Sequence, residues 1–269
     1  MRPFSHAHTV DDLKTLLLLT TGYNFLHGTY DTIEKAYKNF LINSGSPQLV
    51  AVGLSSDQKD CLHAAYEGGA KKYGLNWIPK LRDLPIGSCP MCGNLTLGTV
   101  EHYLPKTPFP EFSVFSWNLV PSCSSCNQKR GSKHVNGISQ KLLHPIFDSV
   151  LLHKLRLVTR FNTSDAVTQF KLGYNESEFD IAEQCRISAH IKMCIDQRAF
   201  KLATKVQLSM TAARVANKDE CLWRTVIQDE LSIMEAANLT YGWGASCLRG
   251  LLETNHMPLN MILTPKILE

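Results

Sequence analysis

Apolar positions recur at helical spacing over both ends of the chain, and a central stretch breaks the rhythm. Asp11–Thr20 reads as a short apolar helix with Asp11 and Asp12 at its positive end. Thr32–Ile42 places Ile33, Ala36, Tyr37, Phe40 and Leu41 on one face. Ser55–Glu67 opens on Ser55, Ser56 and Asp57, good capping residues, and stops near Gly68 and Gly69. Further on, Leu151–Phe161 and Val167–Leu172 read as two strands, with the turn formers Asn162, Ser164 and Asp165 between them. Two long helical patterns follow, Glu178–Thr211 and Lys218–Asn238. The chain shows no internal repeat and no low-complexity tract.

Residues 86–148 differ in texture. They are rich in Cys, Pro, Gly, Ser and Asn, and their apolar runs are short. Pro85, Pro90, Pro105, Pro108, Pro110 and Pro121 exclude a long uninterrupted helix there. So loop-rich a segment needs a staple, and a metal ion is the obvious one. The expected organisation is a helical region 1–85, a central module 86–148, and a strand-then-helix region 149–269. The fold class expected is α+β, mainly helical, with a possible β-hairpin after the central module.

Composition adds limits. Of 269 residues, 44% are hydrophobic and 19% charged, enough for a real core and too apolar for a disordered chain. The start, MRPFSHAHTVDD, has no apolar run of the signal-peptide kind, and Leu16–Leu19 ends at once in Thr20 and Thr21. No stretch approaches the roughly 20 apolar residues of a membrane span. The expectation is a soluble, cytoplasmic protein without membrane insertion, in a reducing compartment. Nine cysteines fit poorly with a full disulfide framework. Cys61, Cys185, Cys194, Cys221 and Cys247 lie singly in helical stretches and read as small apolar residues.

The other four cysteines form two close pairs, Cys89-Pro90-Met91-Cys92-Gly93 and Cys123-Ser124-Ser125-Cys126-Asn127. One Cys-x-x-Cys alone could be a redox pair. Two, in a Pro- and Gly-rich segment, point to a tetrahedral thiolate site for Zn²⁺. Four thiolates leave no open position, so this zinc would be structural and its binding energy would be folding energy. The 30 residues between the pairs exceed the roughly 15–20 of a plain ribbon.

The extra length holds Glu101-His102-Tyr103-Leu104-Pro105-Lys106, then Trp117-Asn118-Leu119 before the second pair, and Lys129-Arg130-Gly131 after it. These elements, in this order, resemble the HNH endonucleases of the ββα-metal class, in the subfamily whose zinc ribbon surrounds the catalytic motif. The resemblance covers roughly residues 86–148. It implies a metal-dependent DNA endonuclease in which His102 activates water. Glu101 and Asn127 would then hold a hard cation, Mg²⁺ or Mn²⁺. Asn118 would pin the loop bearing His102 by side-chain hydrogen bonds. It further implies 5′-phosphate and 3′-hydroxyl products. Two departures stand out: Glu101 replaces the more usual Asp, and Asn127 stands where His is common. The residues themselves favour this chemistry, since imidazole suits base work near neutral pH and oxygen ligands suit a hard cation. The Glu-His-Tyr-Leu-Pro-Lys string is similar to that of stand-alone HNH nucleases in bacterial anti-phage systems such as Septu and type II Zorya. Such a context implies an ATPase or other subunit as partner. His144-Pro-Ile-Phe-Asp148 resembles a string that follows the motif in such proteins, and is expected to pack against the module.

The formal charge of +4 permits nucleic acid without implying it. Its placement says more. Residues 101–160 hold eight basic and three acidic side chains, a local excess of five, and the remainder carries −1. Lys129, Arg130, Lys133 and His134 are the expected phosphate contacts to DNA. The rival reading is a non-catalytic zinc-ribbon protein that binds nucleic acid or serves as a scaffold.

Overall fold

The computed structural model describes residues 1–4, 10–68, 71–131, 141–164, 167–255 and 258–263. Four helices lead: α1 (Asp12–Gly22), α2 (Tyr30–Ile42), α3 (Ser56–Gly68) and the short α4 (Trp77–Lys80). The centre holds β1 (Thr99–His102), β2 (Leu119–Ser122) and α5 (Ser124–Arg130). There follow α6 (Ser149–Lys154), β3 (Leu157–Ser164) and β4 (Val167–Tyr174). The chain then runs through α7 (Ile181–Cys194), α8 (Gln197–Val215), α9 (Glu220–Ala236), α10 (Trp243–Glu253) and α11 (Leu259–Leu263). The fold is α+β and mainly helical, with two separate two-stranded antiparallel sheets. In β1–β2, Glu101 faces Val120 and His102 faces Leu119; in β3–β4, Arg160 faces Lys171. Among the described residues, no helix is long and apolar enough to cross a membrane.

Local chemistry explains most boundaries. Asp11 caps α1 by accepting from Lys14 N at 2.9 Å. Its neighbour Asp12 instead reaches across the molecule, accepting from Ser116 N at 2.9 Å and Ser116 Oγ at 2.6 Å. Burial pushes the Asp12 carboxyl up to about 6, against the pull of those two bonds. Three sequence expectations change. The run Leu151–Phe161 divides: α6 takes its start, and β3 begins only at Leu157. The long helix expected over Glu178–Thr211 is two helices. The backbone is extended at Ile195 and Asp196, and Asp196 caps α8 by accepting from Arg198 N and Ala199 N. Helix α10 was not expected; Gly244 and Gly250 weaken its pattern, yet Trp243, Cys247, Leu248 and Leu251 are buried. Cys194 and Cys247 are buried as expected, whereas Cys185 and Cys221 are exposed.

The main core draws on residues from Met1 to Trp243. Its aromatic centre joins the N-terminal helices to the β1–β2 loop: Tyr37 stacks on Phe115 with ring centroids 4.0 Å apart, and Phe40 meets Phe112 at 4.9 Å. A second core gathers Phe161, Leu208, Ile227, Leu231, Leu248 and Leu251 between β3 and helices α8, α9 and α10. The central segment is thus gripped by helices from both flanks.

Candidate functional site

The four cysteines of the two pairs are buried, and their sulfurs all lie within 4.8 Å of one another. Cys92 Sγ and Cys123 Sγ are 3.6 Å apart. A tetrahedron of Zn–S bonds of about 2.3 Å requires sulfur separations near 3.8 Å, so the cluster fits zinc. None of the four is in a disulfide. Burial pushes the Cys92 thiol up, and a central dication is what would compensate four buried thiolates. Backbone amides already face the sulfurs. Asn94 N donates to Cys92 Sγ at 3.3 Å, Cys123 N to Cys89 Sγ at 3.4 Å, and Cys126 N to Cys123 Sγ at 3.4 Å. The last contact makes Cys123 the N-cap of α5, so the cysteine cluster sets where that helix starts.

The first knuckle needs its glycine. Gly93 has φ +87°, and a Cβ there would meet the Tyr241 carbonyl oxygen at 2.4 Å. Helices from the C-terminal region clamp the same turn. Trp243 Nε1 donates to Cys92 O at 2.6 Å. His190 Nδ1 accepts from Leu143 N at 3.1 Å, so its Nε2 carries the hydrogen that faces Met91 O at 2.6 Å. Burial holds His190 down near 3, so the imidazole is neutral and the tautomer fits both bonds. His190 reads as ordinary in sequence; nothing in its helical context marks it as a strut of the cysteine turn.

Glu101 and His102 end β1 and point to opposite faces of the strand. Glu101 is 3% exposed and lies against α5, with Oε1 3.1 Å from Arg130 Nη1. Burial raises its carboxyl to about 7, and Arg130 pulls it back. His102 is 8% exposed and lies against α3, 4.4 Å centroid to centroid from the Tyr66 ring. Its Nε2 is 2.9 Å from the Ser113 carbonyl. A carbonyl only accepts, so Nε2 carries the hydrogen and Nδ1 keeps the free lone pair. Burial lowers His102 to about 4, against the pull of the Ser113 bond, and leaves the ring neutral at pH 7.

Asn118 is fully buried and ties the loop after β1 at three points. Its Oδ1 accepts from Leu104 N at 2.7 Å; its Nδ2 donates to Leu104 O at 2.9 Å and to Phe112 O at 3.2 Å. Phe112 immediately precedes Ser113, so Asn118 holds the carbonyl that orients His102. His144 is also buried. Its Nε2 faces Trp117 O at 3.1 Å, and its ring lies 4.2 Å from that of Tyr103. Asp148, at the end of the same string, accepts from His144 N at 2.7 Å and pairs with Arg186 at 2.6 Å.

The expected phosphate contacts are used differently here. Arg130 is 2% exposed, donates to Tyr103 O and lies over the Tyr103 ring. Lys129 donates to Ile195 O at the end of α7. Both sit on a seven-residue helix packed against β1 and α7, where carbonyls and Glu101 hold buried Arg130 and half-buried Lys129. Asn127, one turn before Arg130 on the same helix face, is half-buried. Lys133 and His134 lie outside the described residues. Among the described residues, the four cysteines are the one group of three or more His, Cys, Asp or Glu side chains placed to share a metal ion.

Two curated relatives share part of this sequence. The chain is 39% identical over 62 residues to protein ea31 of Escherichia phage lambda, covering 22% of this chain and 21% of the relative. It is 37% identical over 54 residues to the Septu protein PtuB of Bacillus thuringiensis, covering 20% of each. The matches span about a fifth of each relative's length. No protein-family model matches the chain, and no solved structure does.

Proposed function

We propose that the protein is an HNH-type endonuclease that hydrolyses DNA phosphodiester bonds in a bacterial defence system, with a structural zinc in the four-cysteine centre. One observation carries the reading: the hairpin-then-helix unit of β1, β2 and α5 holds His102 as a neutral imidazole with Nδ1 free, beside Glu101, on a frame started by Cys123. The partial likeness to a Septu protein supports the defence setting. Such a setting includes an ATPase or other partner subunit.

In this reading His102 Nδ1 takes the proton of the attacking water. Its Nε2–H bond to Ser113 keeps the ring aimed and disperses the charge that forms. Glu101 and Asn127 both lie at the α5 side of β1, and carboxylate plus amide oxygens suit Mg²⁺ or Mn²⁺. That cation would supply neutralisation of the phosphate and of the departing oxygen. Arg130 now occupies Glu101, so ligation by Glu101 requires the guanidinium to turn away. Arg130 is then free to meet the same phosphate.

The buried Glu101–Arg130 pair also favours a second reading, a nuclease-like scaffold whose carboxylate is permanently neutralised. Plasmid nicking with added Mg²⁺, Mn²⁺ or neither separates the two. The nuclease reading expects cleavage by wild type that is lost in His102→Ala while zinc content stays the same. Absence of cleavage with either metal, and with the partner subunit supplied, refutes it.

A further inference from the structure

A cleft of about 590 Å³ lies between the β3–β4 hairpin and α7, outside the central module. Its walls include Arg160, Lys171, Tyr174, Ser188, Lys192 and Gln197, with Glu176 as the acidic member. Arg160 and Lys171 are direct cross-strand partners. Arg160 already has its carboxylate, Glu253 at 2.6 Å, so Lys171 opposite it is the cation of this pair left for an incoming anion. Gly173 makes room for this arrangement, since a Cβ there would meet Arg160 Cγ at 3.2 Å. The Arg160 stem lies across the strand at that point, and its guanidinium is held by Tyr174 O and by Glu253. Lys192 enters the cleft from α7. Among the described residues, no carboxylate pairs with Lys171 or Lys192. Ser188 and Gln197 add a hydroxyl and an amide.

The position of the cleft tells which anion it suits. Helix α7 turns Ile187, His190 and Cys194 inward, and His190 bonds the cysteine turn at Met91. Ser188, Ile191 and Lys192, on the neighbouring stripe of the same helix, line the cleft. The cleft therefore stands about one helix diameter, roughly 10–12 Å, from the metal centre. A single turn of duplex extends about 34 Å, enough to run from this cleft across the central module.

We infer that this cleft is a second contact for the phosphate backbone of duplex DNA, steadying the substrate beside the central module. The inference rests on the nuclease reading for the identity of the ligand, and its test is independent of cleavage. Binding of a fluorescent duplex to full-length His102→Ala protein, without added divalent metal, is followed by anisotropy over a range of salt. Each phosphate contact contributes about 0.9 to the slope of log K against log salt. Adding K171Q and K192Q together lowers that slope by about 1.8, and each alone lowers it by about 0.9. The control K38Q/K218Q removes the same charge from two exposed positions, one on α2 and one between α8 and α9, and leaves the slope within about 0.3 of the parent. Melting temperature stays equal in K171Q, because Lys171 is exposed and pairs with no carboxylate among the described residues. An unchanged slope in the double variant overturns the inference. So does a parent that binds no duplex, or a cleft that takes inorganic phosphate while duplex binding ignores Lys171 and Lys192. Cleavage by wild type with Mg²⁺ separately reports whether the nuclease reading itself holds.

Discussion

Replacing Asn118 with Leu keeps the volume and removes the amide. Three buried backbone groups then lose their partner: Leu104 N–H, Leu104 C=O and Phe112 C=O. Leaving a buried polar group unsatisfied costs about 1–3 kcal/mol, and partial relaxation of the loop brings the sum to about 3–5 kcal/mol. At about 2–3 °C per kcal/mol for a chain of this size, the melting temperature of the metal-loaded protein falls by about 6–15 °C. A second readout isolates the site from general stability. The released loop carries the Ser113 carbonyl away from His102 and opens the ring to water. The His102 imidazole, held near 4 by burial, then titrates closer to its ordinary value, with desolvation relief outweighing the lost bond. Calorimetry gives the first quantity, and imidazole resonances followed against pH give the second. A melting temperature within about 2 °C of wild type refutes the view that Asn118 bears the loop. So does an unmoved His102 titration in a variant that has been clearly destabilised.

Stripping the metal with a chelator should unfold the central segment and make four buried cysteines reactive to a thiol reagent, counted by colorimetric titration. Full metal loss with no change in melting or reactivity refutes a structural role for the centre. His190 has a folded value near 3, far below its ordinary one, so its stabilising contribution is present at neutral pH and is lost as pH falls through about 6.5 towards 3. Wild type should therefore lose up to about 3 kcal/mol relative to His190→Gln between pH 7 and pH 4 in denaturant titrations. Parallel curves for the two proteins count against the buried strut.

Much of the site was legible because its chemistry is local. Two Cys-x-x-Cys turns announce a candidate metal site by spacing alone, and β1 and β2 bring the pairs together through a short antiparallel register. The role of Asn118 depends on a tight loop between two short strands, and its motif position already indicated one. The helices α1, α2 and α3 emerged from apolar periodicity and capping residues. Legibility failed where a side chain's environment comes from distant segments. Asp12 sits at a helix start yet serves Ser116, 104 positions away. His190 looks like any helical histidine yet holds Met91, 99 positions away.

The basic residues mark the division most clearly. The sequence by itself determined the class of fold, the pairing of four cysteines that come together as one buried cluster, and an excess of positive charge near them. Those properties follow from short-range backbone preferences and residue chemistry. Only the tertiary structure decided where the charge goes. Burial of α5 between β1 and α7 leaves the Arg130 guanidinium no water, so Glu101 and the Tyr103 carbonyl take it. The β3–β4 register does the opposite for Lys171, setting it across from the Glu253-paired Arg160 at an open cleft. A charge buried beside a carboxylate and a charge facing another across a hairpin read the same in sequence. Their energies differ because solvation and partners are set by the packing of elements far apart in the chain.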